Sequence, residues 1–409
     1  MFRKFTTVLL AGILAFAPLA QAAETATPPV TILLDGYPLP FSVEPAIVNG
    51  RTMVPFRTIS EALGVTVQWD GNTRTITAVD PDAKEIRLTI DASTAWVDGV
   101  PFVLDAAPMI VNGATLIPLS FFSQQFGAQV GWEASTRTVS IQSPLRDTYT
   151  LAFYALSSFS EVDYVPSFDS VAFGWSRIDA EGNFTLSGKD FYWPKPAGEI
   201  TPESIVQTAA ERGTSPYLMV FASDGQLELT GILENKARRS ELAAEIAGLA
   251  VKRGFQGVML DFEGLGLSGD ALLAQKQFNA FVRTLSEQLE PHGLQLGLAL
   301  HPLNSSFKGY DYATLGKLAD EIVIMAYAYE GEKAPEPLGK VDEAIRLALE
   351  KVDKNKLVLG ISMGSENASS VNGKIGLAKR YGLKGIALWR LGIVGDSAFE
   401  QIRRSIELK

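Results

Sequence analysis

The stretch "GFQGVMLDFEGLG", residues 254–266, decides how this chain is read. Its apolar run describes a buried strand, yet Asp261 and Glu263 close it, and burying an unpaired carboxylate is expensive. Alternate residues of a strand face the same side, so Met259, Asp261 and Glu263 point one way and Val258, Leu260 and Phe262 the other. Glu263 would stand nearest the carboxyl end. The bland alternative is an Asp and a Glu that merely end a strand in solvent, paired with Arg253 or Arg283.

Around this strand the texture from about residue 148 is of apolar runs alternating with helical patterns. The strand candidates are "YTLAFYAL" (149–156), "SVAFGW" (170–175), "PYLMVFAS" (216–223), "GVMLDFE" (257–263), "LQLGLALHP" (294–302), "EIVIMAYAY" (321–329), "KLVLGIS" (356–362) and "GIALWRLG" (385–392). Between them lie amphipathic segments: Leu242, Ile246 and Leu249 share one helical face, as do Phe278, Phe281, Val282, Leu285 and Leu289. Gly254 and Gly293 end those helices. Continuous apolar runs indicate strands buried on both faces, hence a parallel sheet. Eight of them in this length point to an α/β fold, a closed (β/α)8 TIM barrel, in which inward residues at the carboxyl ends of strands build the active site. An open doubly wound sheet is the runner-up, without the glycine-rich fingerprint of a nucleotide site.

The 409 residues are 46% hydrophobic and 20% charged, with no long low-complexity segment, which suits two or three compact domains. Residues 1–22 have a basic start (Arg3, Lys4), an apolar stretch and a small-residue site at Ala20–Ala22, and read as a secretory signal peptide. The expected location is therefore outside the cell or at a bacterial wall, with no membrane span once the signal is removed. There is no cysteine, so no disulfide, and the formal charge of −10 argues against nucleic acid as a partner. With two histidines, His292 and His301, the chain lacks the usual ligands of zinc or copper, and no cofactor or metal is expected. A monomer is expected.

Residues 23–145 read as an α+β domain of two repeats, 33–78 and 96–141. Positions 33–78 align without a gap against 96–141: Asp35-Gly36 with Asp98-Gly99, Asn49 with Asn112, Trp69 with Trp132, and Thr73-Arg74-Thr75 with Thr136-Arg137-Thr138, all at a spacing of 63. Asp-Gly and Asn-Gly favour tight hairpin turns, and Thr58–Leu63 reads as a short helix. The unit resembles the stalk-type module named after the amino-terminal region of copper amine oxidases, although residues 24–145 hold no histidine. A spacer or wall-adhesion role is the first reading. Trp69 and Trp132 read as core residues first and as sugar platforms second.

The barrel region, in turn, resembles glycoside hydrolase family 18. "GFQGVMLDFEGL" is similar to the Asp-Gly…Asp-x-Asp-x-Glu signature of the fourth strand. "MAY" (325–327) is similar to the sixth-strand Met-x-Tyr and "LWRLG" (388–392) to the eighth-strand tryptophan segment. "FGWSRID" (173–179) and "YWP" (192–194) look like the branch that holds spore-cortex and cell-wall N-acetylglucosaminidases. The resemblance implies a retaining mechanism in which the substrate's own N-acetyl oxygen is the nucleophile. It makes Glu263 the acid and later base, Asp261 the group that orients the acetamide N–H, and Tyr327 the hydroxyl on the acetamide oxygen. Trp389 would floor the sugar subsite, with Met325, Met259, Tyr329 and Asn304 as further substrate-binding candidates. His301 is read either as lining the cleft or as a satisfied surface histidine, and Phe191, Tyr192 and Trp193 as a possible extension of the groove.

Two departures from that pattern stand out. Gln256 and Met259 occupy positions where the family often has acids, so no buried relay lies beneath Asp261. Ala328 follows Tyr327 where an aspartate is usual, with Tyr329 or Glu330 as substitutes. The implied substrate is an N-acetylated glycan, peptidoglycan before chitin. Two other classes compete: a lectin-like protein on the same barrel, and an adhesive wall protein in which the barrel is vestigial.

Overall fold

The computed structural model describes residues 30–409; the signal-peptide reading lies outside them. In the first domain the four dipeptides Asp35-Gly36, Asn49-Gly50, Asp98-Gly99 and Asn112-Gly113 all carry positive φ at both positions, the geometry of two-residue type I′ turns. Each element of residues 31–79 recurs 63 positions later: the hairpin Ala46–Val48/Arg51–Pro55 with Met109–Val111/Ala114–Pro118, and the helix Phe56–Ala62 with Leu119–Phe126. The helix starts two residues before the expected Thr58. The hairpins of the two repeats pair with each other, Met53 opposite Pro118 and Pro55 opposite Leu116. Thr31–Leu34 runs parallel to Thr138–Gln142 of the second repeat, and Glu85–Thr89 bridges the two units. The repeats therefore share one core, built on Phe56, Phe121, Phe122 and Ile117.

Trp69 and Trp132 are not core residues: they are 42% and 47% exposed. Each sits opposite a buried residue, Ile76 and Val139 respectively, so the strand's parity does aim it inward. Both strands are the edges of their sheets, and no further strand covers the indoles.

The second domain is a closed barrel of eight parallel strands: β1 (Tyr149–Tyr154), β2 (Ser170–Ile178), β3 (Ser215–Ser223), β4 (Gly257–Glu263), β5 (Gln295–Leu300), β6 (Glu321–Ile324), β7 (Leu357–Ser362) and β8 (Gly385–Trp389). Neighbours pair in order and β8 returns to β1, which also pairs with β2. The open doubly wound alternative is thereby excluded. α-Helices follow seven of the eight strands; after β1 the crossover is a 3₁₀ segment, Leu156–Ser167, with Pro166 inside it. The helix Lys236–Lys252 buries Leu242 and Ile246, and Ala271–Leu289 buries Phe278, Phe281, Val282, Leu285 and Leu289. Among the described residues no helix is long and apolar enough to cross a membrane.

Two layers of apolar contact follow from the strand parity. Val258, Leu260 and Phe262 join the outer shell between sheet and helices, where Phe262 stacks on Phe281 at 5.5 Å. Met259 joins the axial cluster with Met219, Ala299, Val323 and Met325. Gly297 makes room for it: a Cβ there would lie 2.5 Å from the Met259 methyl. At the amino-terminal end the barrel is closed by Tyr149 and by the fully buried Glu321, which pairs with Lys384 at 2.6 Å and accepts from the Tyr149 hydroxyl at 3.2 Å.

The two domains meet on the helix Val371–Tyr381. Arg380 donates to the carbonyls of Leu34 and Tyr37 at 3.2 Å and lies over the Tyr37 ring. Lys379 donates to Pro144 and Ser405 carbonyls at 2.6 and 2.9 Å. Gly376 admits Asp35, whose Cβ would lie 2.2 Å from any Cβ at that position.

Candidate active site

Strand β4 delivers its two carboxylates to the carboxyl end of the barrel. Asp261 is 2% exposed and Glu263, two residues on, is half-buried. Neither pairs with Arg253 or Arg283: Arg253 is engaged by Glu203 and lies over the Trp193 ring. The strand end is held by Tyr310, whose hydroxyl donates to the Phe262 carbonyl at 2.7 Å, and by the Asp224 N–H on the Glu263 carbonyl at 2.9 Å.

Asp261 Oδ1 is buried without a hydrogen-bond partner. Burial first, and the charge of Glu263 second, push the Asp261 carboxyl well above the usual carboxylate range. Burial likewise raises Glu263. The pair is thus built to hold a proton where exposed carboxylates would have lost theirs, a property of acids that must donate.

Tyr327 stands three residues beyond β6, half-buried, with its ring against β7 where Gly360 has no Cβ; one would lie 3.0 Å from Tyr327 Cε1. Burial, then the charges of Asp261 and Glu263, drive its hydroxyl well above its usual range, so it stays neutral. Trp389 ends β8 half-buried, edge-on to Phe153 at 5.3 Å, and the peptide that follows it is cis. Met325 and Met259 lie in the axial cluster beneath the pair. Gln256 is exposed on the loop leading into β4, so Met259 alone underlies Asp261 and the next buried acid along the axis is Glu321 at the far end.

Two of the expected substrate-binding residues, Tyr329 and Asn304, have their polar atoms engaged by other protein groups. Tyr329 donates to Asn304 Oδ1 at 3.0 Å, and Asn304 donates to the Lys340 carbonyl and to Glu343, both on the helix Leu338–Leu349. Their polar atoms tie two loops to a helix. Of the two residues read as substitutes for the missing aspartate, Tyr329 is hydrogen-bonded to Asn304 and Glu330 is exposed. After Asp261 and Glu263, the third carboxylate whose charge reaches Tyr327 is Glu332, which accepts from Ser362 Oγ at 2.5 Å. Its place depends on the course of the loop 325–337 between β6 and the helix Leu338–Leu349, which no local signal encodes.

Other expectations divide. His301 is not a satisfied surface group: its ring stacks on Phe307 at 3.8 Å, Nε2 is buried without a partner, and burial lowers its pKa to about 4. Phe191 stacks on Phe221 at 4.4 Å and lies 6.4 Å from Trp389, at the barrel mouth. Trp193 instead packs outside on Trp175 and Phe255 and anchors that loop. Tyr192 is exposed.

Comparison with known proteins agrees with the barrel fold. Among solved structures, the spore cortex-lytic enzyme SleL of Bacillus megaterium superposes with a TM-score of 0.53 at 16% identity, covering 64% of this chain and 75% of that one. A chitinase of Chromobacterium violaceum gives 0.52 at 21%, covering 63% and 98%. At these identities the likeness is of fold. By sequence, the cortical fragment-lytic enzyme of Bacillus subtilis is 29% identical over 139 residues, 32% of this chain and 31% of that one. Its Bacillus anthracis counterpart is 26% identical over 170 residues, 38% of each. The chain spans about half the length of the curated relatives it matches, or less. The copper amine oxidase N-terminal domain model matches residues 33–141, and the model of glycosyl hydrolases family 18 matches 132–377, ending before Trp389. With well over half of its residues so matched and its carboxylates at the carboxyl end of the fourth barrel strand, the chain belongs to glycosyl hydrolases family 18, carried behind a copper amine oxidase N-terminal-like domain.

Proposed function

We propose that the protein is an exported, retaining glycosidase that cleaves β-1,4 bonds of N-acetylglucosamine in peptidoglycan, with the substrate's acetamide as nucleophile. The single observation that carries this reading is the buried Asp261 Oδ1 without a partner, beside a raised Glu263. An unsatisfied buried acceptor is tolerated where a ligand supplies the missing donor; an acetamide N–H is such a donor. In this scheme Glu263 protonates the glycosidic oxygen, and the acetamide oxygen attacks the anomeric carbon as that bond breaks. Asp261 holds the acetamide N–H and balances the oxazolinium charge, and Tyr327 donates to the acetamide oxygen. Glu263, now a carboxylate, takes a proton from the water that opens the ring. Trp389 and Phe191 supply the apolar floor and wall of the sugar site.

Peptidoglycan is favoured over chitin by the named activities of the sequence relatives, which are cortical fragment-lytic enzymes. The test is reducing-end release from purified peptidoglycan, cortex fragments and chitin oligosaccharides, with mass spectrometry of the products, for wild type beside Glu263→Gln. Loss of a general acid lowers turnover by about 10²–10⁴-fold. Products ending in reducing N-acetylglucosamine that vanish in the variant support the hydrolase. No products from any glycan, with binding intact in both proteins, would replace it with the lectin reading.

A further inference from the structure

The loop leaving β6 carries a feature that the reaction scheme above does not use. Ala328, directly after Tyr327, is exposed at φ 59, a left-handed conformation unfavourable for a residue with a Cβ. Both backbone N–H groups beyond Tyr327 end on one side chain: Ala328 N–H donates to Glu336 Oε1 at 2.8 Å and Tyr329 N–H to Glu336 Oε2 at 3.3 Å. Glu336 is 5% exposed and lies between Pro335 and Pro337, the second of which restricts its backbone to extended conformations. Its own N–H donates to Glu366 Oε1 at 2.8 Å, and that oxygen also receives Lys374 Nζ at 2.8 Å, an ion pair buried on both sides. Lys374 stands on the helix Val371–Tyr381, the one that docks the stalk.

A carboxylate clamped on two successive N–H groups sets the torsions between Tyr327 and Ala328, and with them the direction of the phenol ring. We propose that Glu336 is a positioning residue for Tyr327: it holds the left-handed turn at Ala328, and so aims the Tyr327 hydroxyl, from a footing on the Glu366–Lys374 pair. The inference rests on the role given to Tyr327 above. Glu336 does not touch substrate; it acts through the tyrosine. A buried charge spent on two loop amides is an expensive way to close a turn that glycine would close unaided, which fits a demand for precision at the adjoining side chain.

The experiment is a kinetic double-mutant cycle on a soluble N-acetylglucosamine oligosaccharide with the full chain: Tyr327→Phe, Glu336→Ala and the two combined, with Glu336→Gln as the conservative variant and thermal melting of each. Small displacements of a positioned group cost rate rather than affinity, so Glu336→Ala lowers kcat about tenfold or more with KM within about twofold. Glu336→Gln, which keeps an acceptor oxygen for Ala328 N–H, falls between. In the Tyr327→Phe background Glu336→Ala costs nothing further. If the two effects multiply instead, Glu336 works independently of Tyr327 and the inference is overturned. A Tyr327→Phe enzyme of full rate would strike down the reading of Tyr327 itself, a separable result. Should Glu336→Ala fail to fold, the cycle is run with Glu336→Gln, and an unchanged kcat in that folded variant overturns the proposal equally.

Discussion

The stalk and the barrel treat polarity in opposite ways. In the stalk the only buried polar side chains among those described are hydroxyls, Ser60 and Ser143, and the tryptophans Trp69, Trp96 and Trp132 are each more than 40% exposed. The barrel buries Asp224, Asp261, Glu321, Glu336, Asp342, Glu366, Lys374 and Lys379, while Trp175 is wholly enclosed. Seven of those eight charges are answered. Asp224 accepts from Thr230, Glu321 pairs with Lys384, Glu336 caps backbone amides, Asp342 binds Tyr381, Glu366 pairs with Lys374, and Lys379 binds two carbonyls. Asp261 makes no hydrogen bond or ion pair among the described residues, and its Oδ1 is sealed from solvent. The difference teaches how to separate framework from chemistry. A buried charge that the protein answers holds the fold, and one left unanswered is kept for something that is not protein.

The sharpest way to break that distinction is to remove one partner from an answered pair. Glu321→Ala leaves the Lys384 ammonium without its carboxylate, and such losses cost about 3–5 kcal/mol. The barrel melt should fall by roughly 10 °C at about 2–4 °C per kcal/mol; a change under one degree would mean that the pair is not structural.

Asp261→Asn should move stability the other way while abolishing turnover. The sign follows from the raised carboxyl: above its ordinary value the native state holds a proton that the unfolded chain has released, so stability declines as pH rises through the raised range. Removing the charge relieves that penalty at neutral pH. The expected result is a melting point about 2–4 °C higher at pH 7, with the difference shrinking toward zero as the pH falls below 4, read by calorimetry across pH. A variant less stable than wild type at pH 7 would put Asp261 among the answered charges. Glu263 also holds its proton above the ordinary carboxylate range, so activity should fall on the alkaline side as that proton is lost.

Between the domains, Arg380→Ala removes a guanidinium from two stalk carbonyls and the Tyr37 ring. Hydrogen bonds of this charged kind contribute about 1.5–3 kcal/mol. Limited proteolysis in the connecting segment 143–148 should quicken, with turnover of a soluble oligosaccharide unchanged; lost turnover would mean that the stalk acts on the barrel's chemistry. The smallest effect belongs to the exposed indoles. Trp132→Ala and Trp69→Ala should shift stalk stability by less than about 1 kcal/mol, and retention on insoluble peptidoglycan then decides between spacer and sugar platform.

Much of this was legible along the chain. Eight apolar runs and the helical faces between them gave the barrel, because a strand buried on both sides needs continuous apolar residues and a covering helix needs one stripe. The alternation in "GVMLDFE" put Met259 and Asp261 on the axis and Phe262 under its helices. The 63-residue offset is matched by elements that recur at that spacing, down to the turns at Asp35-Gly36 and Asp98-Gly99. What was not legible depended on neighbours distant in sequence. Parity aimed Trp69 and Trp132 inward, but whether another strand covers an edge is a matter of sheet order. The bonds from Tyr329 and Asn304 to the helix Leu338–Leu349 likewise follow from packing and not from the residues beside them.

The sequence by itself determined the barrel, its axis-facing carboxylates and the family, since periodicity, strand parity and a local signature need only residues a few positions apart. Only the tertiary structure decided which charges are answered. Glu336 lies eight residues from Ala328, Glu366 thirty from Glu336, and Lys384 sixty-three from Glu321. Pairing across such separations is set by how strands close and helices pack, so the solitude of Asp261 became visible once every other buried charge had found its partner.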